Sequence, residues 1–235
     1  MLLSVLIPAY NEIHNIQLIL AKIAEVDIPM EVIIVDDGST DGTRELLKTL
    51  SNSTIKVVLH EKNQGKGMAI RTAIEHSKGD IILIQDADLE YDPQDYYKLV
   101  PIIAEGKGKV VYGSRFLTKE NRHSYFTFFL GGQVVTWITN ILYGQSLTDE
   151  PTCYKVFDAK LLKSIKLDCT GFEFCPEVTA KVAMMGYKIP EVAINYYPRS
   201  ITEGKKIKWT DGVEAIWVLL KYRFVSVKSF MQTAK

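Results

Sequence analysis

The strongest constraint on this chain is an alternation that runs through its first half. Short apolar runs at Ser4–Pro8, Glu31–Asp36, Ile55–His60, Asp80–Gln85 and Val110–Ser114 are separated by stretches with helical spacing at Glu12–Ala24, Thr43–Leu50, Gly67–Ser77 and Pro93–Ala104. Strands that are apolar on successive residues must be covered on both faces, and strands joined through helices run parallel. The pattern predicts an α/β fold: a mostly parallel central sheet with helices on both faces. At roughly 150 residues per domain, the 235 residues suit one large domain.

The second half is less regular. Phe174–Met185 and Trp209–Tyr222 have helical spacing, the latter with Val213, Ile216, Trp217 and Leu220 on one face, and Ile189–Ala193 reads as a strand. The stretch Tyr125–Leu142 is apolar nearly all round and is expected to form one helix, or two split at Gly131 and Gly132. Its length approaches that of a membrane span, but glycines, Gln133 and Asn140 dilute it, so it reads as buried or interfacial. Arg122 and His123 just before it suit anionic headgroups; a dimer interface or core element is the alternative.

Lys+Arg and Asp+Glu both number 28, which gives no overall drive toward nucleic acid. The balance is uneven: residues 199–235 hold eight basic and three acidic residues, against twenty and twenty-five in residues 1–198. The C-terminal segment is a basic region on an acidic body. Cys153, Cys169 and Cys175 are too few for a disulfide framework and form no CxxC, which points to a reducing compartment and thiols that mostly pack. The opening MLLSVLIPAYNE lacks a basic leader and reads as a first strand.

In open α/β sheets ligands bind outside the carboxyl ends of the strands. Three strands end in polar clusters: Pro8 to Glu12, Asp36 to Gly42, and Asp86-Ala87-Asp88-Leu89-Glu90. Carboxylates at i and i+2 after a buried strand can place oxygens on one hard cation, Mg²⁺ or Mn²⁺, with Glu90 as a third ligand. Asp37 can accept hydrogen bonds from a base or ribose. Asn63 to Gly67 brings glycines and Lys66 to the start of a helix; it lacks both the dinucleotide fingerprint and the P-loop pattern.

The ordered set IPAYNE, VDDGSTDGT, NQGKGMAIRTAI, GDIILIQDADLEYDP and YGSRF resembles family 2 glycosyltransferases of the GT-A fold, in particular dolichyl-phosphate mannose synthases and related polyprenyl-phosphate glycosyltransferases. The resemblance runs from about Ser4 to Phe224. It implies a single catalytic domain over residues 1–224, with a nucleotide-sugar-binding half (1–115), an acceptor half (116–224) and a tail (225–235). It implies that Pro8, Tyr10, Glu12 and Asp37 hold base and ribose, that Asp86, Ala87 and Asp88 form the metal and diphosphate segment, and that Arg199 and Lys205 clamp phosphates, with Lys66 on the donor as well. Arg115 would lie near the donor phosphates or the transferred sugar. Glu90 stands where mannose synthases often have Gln, and Cys153 replaces a Gly in the segment Asp149 to Lys155 that borders the acceptor.

The expected reaction is inverting, metal-dependent transfer of a hexose from a GDP-mannose- or UDP-glucose-type donor to a polyprenyl phosphate, by a peripheral protein on the cytoplasmic face of a membrane. A phosphate acceptor is already anionic and needs no base, only cations such as Arg115 and Arg122 to place it. A hydroxyl acceptor would need one, for which Asp149 is the candidate. A non-catalytic nucleotide-sugar-binding protein is the third reading.

Overall fold

The computed structural model describes residues 1–118, 121, 126–199 and 209–232. Seven strands form one sheet: β1 (Leu3–Ala9), β2 (Met30–Asp36), β3 (Ile55–Leu59), β4 (Ile81–Ile84), β5 (Val110–Ser114), β6 (Lys155–Asp158) and β7 (Glu191–Ala193), in the order β3-β2-β1-β4-β6-β5-β7. β1 pairs in parallel with β2 and β4, β2 with β3, and β5 with β7. Only β6 is reversed, pairing antiparallel with both β4 and β5. The mostly parallel sheet follows from the apolar runs: every residue of β4 is buried, as are six of the seven in β1.

β6 is the strand that the apolar pattern does not announce. Its first residue is Lys155, fully buried, whose ammonium donates to the Glu150 carbonyl at 2.6 Å and stands 3.6 Å from the centroid of the Tyr112 ring. A charge at the head of a four-residue strand disguises it, and the cost of burying that charge is offset by the carbonyl and the ring.

The helices are α1 (Ile16–Ala24), α2 (Thr43–Lys48), α3 (Lys66–His76), α4 (Tyr96–Ala104), α5 (Phe126–Tyr143), α6 (Ala159–Lys163), α7 (Phe174–Met184) and α8 (Trp209–Arg223). α5 is a single helix that passes through Gly131 and Gly132 without a break. Two glycines in a helix interior cost about 1 kcal/mol each. Packing offsets this: Val135, Ile138 and Leu142 join Ala180 of α7 and Ala215, Val218, Leu219 and Tyr222 of α8 in a second core beside the main one.

The six parallel strands end on one edge, and the loops leaving them are pinned to each other. Gly38 has φ +78°, and a Cβ there would lie 2.5 Å from the Asn63 nitrogen. Gly65 has φ +96°, and a Cβ would lie 2.3 Å from the Thr170 carbonyl oxygen. Only glycine permits either approach.

Candidate active site

The strand ends enclose a cavity of about 1140 Å³, lined by Pro8, Tyr10, Glu12, Asp37, Lys66, Asp86, Ala87, Asp88, Glu90, Arg115 and Arg199, together with Tyr196, Phe172 and the N-terminal turns of α5 and α8. Most of the residues expected at the site thus share one concavity. Arg122 and Lys205 lie outside the described residues.

Asp37 is 3% exposed and fully engaged. Its Oδ1 accepts from the Gln64 amide (2.9 Å) and lies 2.8 Å from His60 Nδ1, while Oδ2 accepts from the Gly65 amide (2.8 Å). It ties the end of β2 to the turn that opens α3. Asp36 has a purely architectural place: its Oδ2 accepts from Arg44 Nε at 2.8 Å.

The turn after β4 carries the densest charge. Lys66 Nζ sits 2.6 Å from Asp86 Oδ1, and Arg199 Nη2 donates to Asp88 Oδ2 at 2.7 Å. Arg199 also reaches Glu12 Oε2 at 3.4 Å. Burial and the neighbouring carboxylates Asp86 and Glu90 push the Asp88 carboxyl up to about 7. Burial opposes the charge on Lys66, but the Asp86 carboxylate beside it prevails and holds the ammonium above the usual lysine range.

Glu90 departs from the expected triad of oxygen ligands. Its Oε1 accepts from the Arg199 backbone amide (2.8 Å) and its Oε2 from the Tyr196 hydroxyl (3.2 Å), so it braces the segment after β7. Among the described residues no three His, Cys, Asp or Glu side chains converge as a ligand group. Asp86 and Asp88 nevertheless fit a hard divalent cation in donor chemistry: two carboxylates two residues apart on one cavity wall, in surroundings whose negative charge already draws in two side-chain cations.

Further along the chain, Asp149 is fully buried and both its oxygens are turned to Arg115. Oδ2 accepts from the Arg115 amide (2.9 Å) and Nε (2.7 Å), and Oδ1 accepts from Nη2 (2.7 Å). The guanidinium lies 5.1 Å from the Tyr196 ring centroid and 5.5 Å from that of Phe116. Burial disfavours its charge, yet Asp149 more than compensates and keeps it protonated. Behind the pair, Glu191 Oε1 accepts from the Asp149 amide (2.9 Å), and its Oε2 accepts from Thr148 N (2.6 Å) and Oγ1 (2.9 Å).

Sequence reasoning missed Tyr196 and Glu191. A signal was present for Tyr196: β7 is parallel, so Asn195-Tyr196-Tyr197-Pro198-Arg199 leaves its carboxyl end as the other clusters leave theirs, whereas Glu191 opens β7 at its amino end and had none. Cys153, in place of the family's glycine, packs with its Sγ 3.7 Å from the Ile84 carbonyl, behind the end of β4.

A seven-stranded, mostly parallel sheet with a carboxylate pair at the end of β4 and cations on the facing strand ends defines a nucleotide-sugar transferase fold. The chain belongs to glycosyl transferase family 2, whose model matches residues 4–165. It is 29% identical over 203 residues to glycosyltransferase AglJ of Haloferax volcanii, covering 83% of this chain and 63% of that protein. It is also 29% identical over 222 residues to the undecaprenyl-phosphate mannosyltransferase of Micrococcus luteus, covering 85% of each. The chain spans somewhat less than two thirds of the length of the Haloferax relative. Among solved structures it superposes on glucosyl-3-phosphoglycerate synthase of Mycobacterium tuberculosis, in complex with Mn²⁺, UDP and phosphoglyceric acid, with a TM-score of 0.71 at 20% identity, over 95% of this chain and 79% of that one.

Proposed function

We propose that this protein transfers a hexose, with inversion, from a nucleoside diphosphate sugar to a polyprenyl phosphate at a membrane surface. The observation that carries this reading is the state of Asp149. A general base needs a free oxygen lone pair directed at its substrate. Asp149 is fully buried, is not among the residues lining the cavity, and turns both oxygens to the Arg115 guanidinium and amide at 2.7–2.9 Å, so that neither is directed at a substrate. An acceptor that arrives as a phosphate needs no base, and Arg115, fixed as a cation on the cavity wall, is suited to hold its anionic oxygens. The relative from Micrococcus luteus, a mannosyltransferase on undecaprenyl phosphate by name, supports the same acceptor class.

In this reading Pro8, Tyr10, Glu12 and Asp37 line the base and ribose end. Lys66 and Arg199 face the diphosphate, with Lys205 completing the clamp and Arg122 assisting Arg115 at the acceptor. Asp86 and Asp88 would hold Mg²⁺ or Mn²⁺, which supplies electrostatic stabilisation of the leaving diphosphate. A cavity of about 1140 Å³ exceeds the usual several hundred to ~1,000 Å³ of a single-ligand site and leaves room for both substrates.

The membrane part of the proposal rests on α5 and α8. Leu130, Val134, Trp137 and Ile141 form an exposed stripe on α5, and Val213, Trp217 and Leu220 one on α8, with Trp209 and Phe224 at its ends. Among the described residues no helix is long and apolar enough to cross a membrane. Apolar helix faces rich in tryptophan, beside Lys221, Arg223 and Lys228, suit an anionic lipid interface on the cytoplasmic face.

The test is nucleoside diphosphate release from GDP-mannose, UDP-glucose or UDP-GlcNAc, with Mg²⁺ or Mn²⁺, in the presence and absence of a short-chain polyprenyl phosphate. Lipid-dependent release from one donor is the expected result. Release only with a saccharide acceptor would return Asp149 to the role of base, and nucleotide-sugar binding without turnover in any mixture would leave a binding protein.

A further inference from the structure

Lys66 and Arg199 already occupy the two carboxylates that a divalent cation requires. Lys66 Nζ is 2.6 Å from Asp86 Oδ1 and Arg199 Nη2 is 2.7 Å from Asp88 Oδ2, all four side chains being 13–20% exposed. The cations come from separate elements. Lys66 opens α3, on a backbone held by the contact of Gly65 with Thr170, and Arg199 follows β7. Each has a long side chain that can turn without moving the fold.

We propose that Lys66 and Arg199 are exchangeable counter-ions of Asp86 and Asp88. In the free protein they neutralise the carboxylates; on donor binding they pass to the diphosphate and release both carboxylates to the metal. This rests on reading the cavity as the nucleotide-sugar site.

The argument is electrostatic. A dication that reaches Asp86 and Asp88 in the absence of nucleotide must displace two cations at contact distance, in a partly desolvated cavity where charges are weakly screened. The displaced ammonium then lies beside the dication without its carboxylate, and the guanidinium is left with its longer contacts to Glu12 (3.4 Å) and Glu90 (4.0 Å), so both need a new anion at contact distance. A diphosphate supplies that anion. Metal alone therefore binds weakly, metal and nucleotide bind with positive coupling, and by linkage each tightens the other by the same factor. Retaining Asp88, Asp86, Glu90 and Glu12 around only two cations keeps a surplus of negative charge that favours the dication once the exchange has occurred.

The experiment measures Mn²⁺ binding to the full chain by the paramagnetic resonance of free ion, with no acceptor present, with and without saturating GDP or UDP. In the wild type, nucleotide should tighten Mn²⁺ binding about tenfold or more. K66M should tighten Mn²⁺ binding to the nucleotide-free protein by about tenfold, since Asp86 loses its competitor, and should narrow the nucleotide effect. R199Q should do the same through Asp88, and K66R should keep the wild-type pattern. Should K66M fail to fold, R199Q carries the test. Equal Mn²⁺ affinity with and without nucleotide overturns the exchange. So does unchanged Mn²⁺ affinity in the variants, or nucleotide binding with no Mn²⁺ uptake. If neither nucleotide binds, the donor-site reading itself fails.

Discussion

Strand β4 leaves none of its four residues exposed, whereas α5 turns Leu130, Val134, Trp137 and Ile141 outward while Val135, Thr136 and Thr139 face the protein. The sheet half spends its apolar residues on one continuous core and keeps its polar residues for strand ends. The α5–α7–α8 layer makes a smaller core and leaves large apolar side chains on its surface: Trp217 is 65% exposed and Phe224 86%. Single exposed apolar residues are ordinary, but stripes at four-, seven- and eleven-residue offsets on two packed helices are not. The two regions meet at the cavity, whose wall passes from Asp86 and Asp88 to the first turns of α5 and α8. One half is arranged for charge chemistry, the other for an apolar neighbour.

If that division holds, damage to the charged half should abolish turnover without unfolding the protein. Asp88→Asn is expected to lower NDP-sugar turnover by about 10³-fold, the scale of losing a principal electrostatic contact in a transition state. The melting temperature should change little or rise, because the carboxyl is held near 7 by burial and like charges and its ionised form is a cost to the fold. A large drop in melting temperature would assign Asp88 to structure.

Asp149→Asn tests the seam between the halves. Removing one partner of a buried ion pair leaves Arg115 uncompensated and should cost about 3 kcal/mol of stability by denaturant unfolding, together with a rise in KM for the proposed polyprenyl phosphate acceptor. Arg115→Lys should reproduce most of that loss, because an ammonium cannot make the two-pronged contact seen here. A general base would behave otherwise: Asp149→Asn would remove turnover on a hydroxyl acceptor while Arg115→Lys remained mild.

The smaller core should respond as a core does. Leu219 of α8 is fully buried in the core that α8 shares with α5 and α7. Leu219→Ala should cost about 2–5 kcal/mol through the cavity it leaves, read as a lowered denaturation midpoint. Donor binding should survive, because the strand-end residues belong to the other cluster. Loss of donor binding at temperatures where the variant remains folded would show that the helical layer shapes the donor site as well.

The two regions also differ in how much of them the sequence discloses. Parallel strands carry a strong local signature, and their carboxyl ends share one edge by topology, so Pro8, Asp37, Asp86 and Asp88 could be brought together before any coordinates. What stayed hidden depends on contacts between distant residues. The Arg115–Asp149 pair spans 34 positions, and Arg199 meets Asp88 across 111. Lys155 carries a charge that hides the start of β6, and only the pairing of β6 with β5 buries it. The uninterrupted α5 depends on tertiary packing, which overrides the local preference of Gly131 and Gly132. The pairing of Lys66 with Asp86 joins two motifs that were legible separately, but nothing local to either one indicates that the two side chains meet.

The gentlest perturbation probes the surface stripes. Trp137→Ser combined with Trp217→Ser removes two exposed rings, 64% and 65% accessible, that contribute little to either core. Folding stability should therefore stay within about 0.5 kcal/mol. Sedimentation with vesicles containing anionic phospholipid should weaken by about ten- to a hundredfold, because each ring carries much of the apolar area available to a lipid interface. Turnover of a short, soluble polyprenyl phosphate should remain near wild type, since neither ring lines the cavity. The contrast between vesicle binding and soluble turnover is what matters. Vesicle binding unchanged by the double substitution would mean that the apolar face meets something other than lipid, and a change of sedimentation velocity with concentration would identify that partner as a second copy of the chain. Loss of soluble turnover would mean instead that the stripes communicate with the cavity through the first turns of α5 and α8, and the division between a charged half and an apolar half would have to be given up.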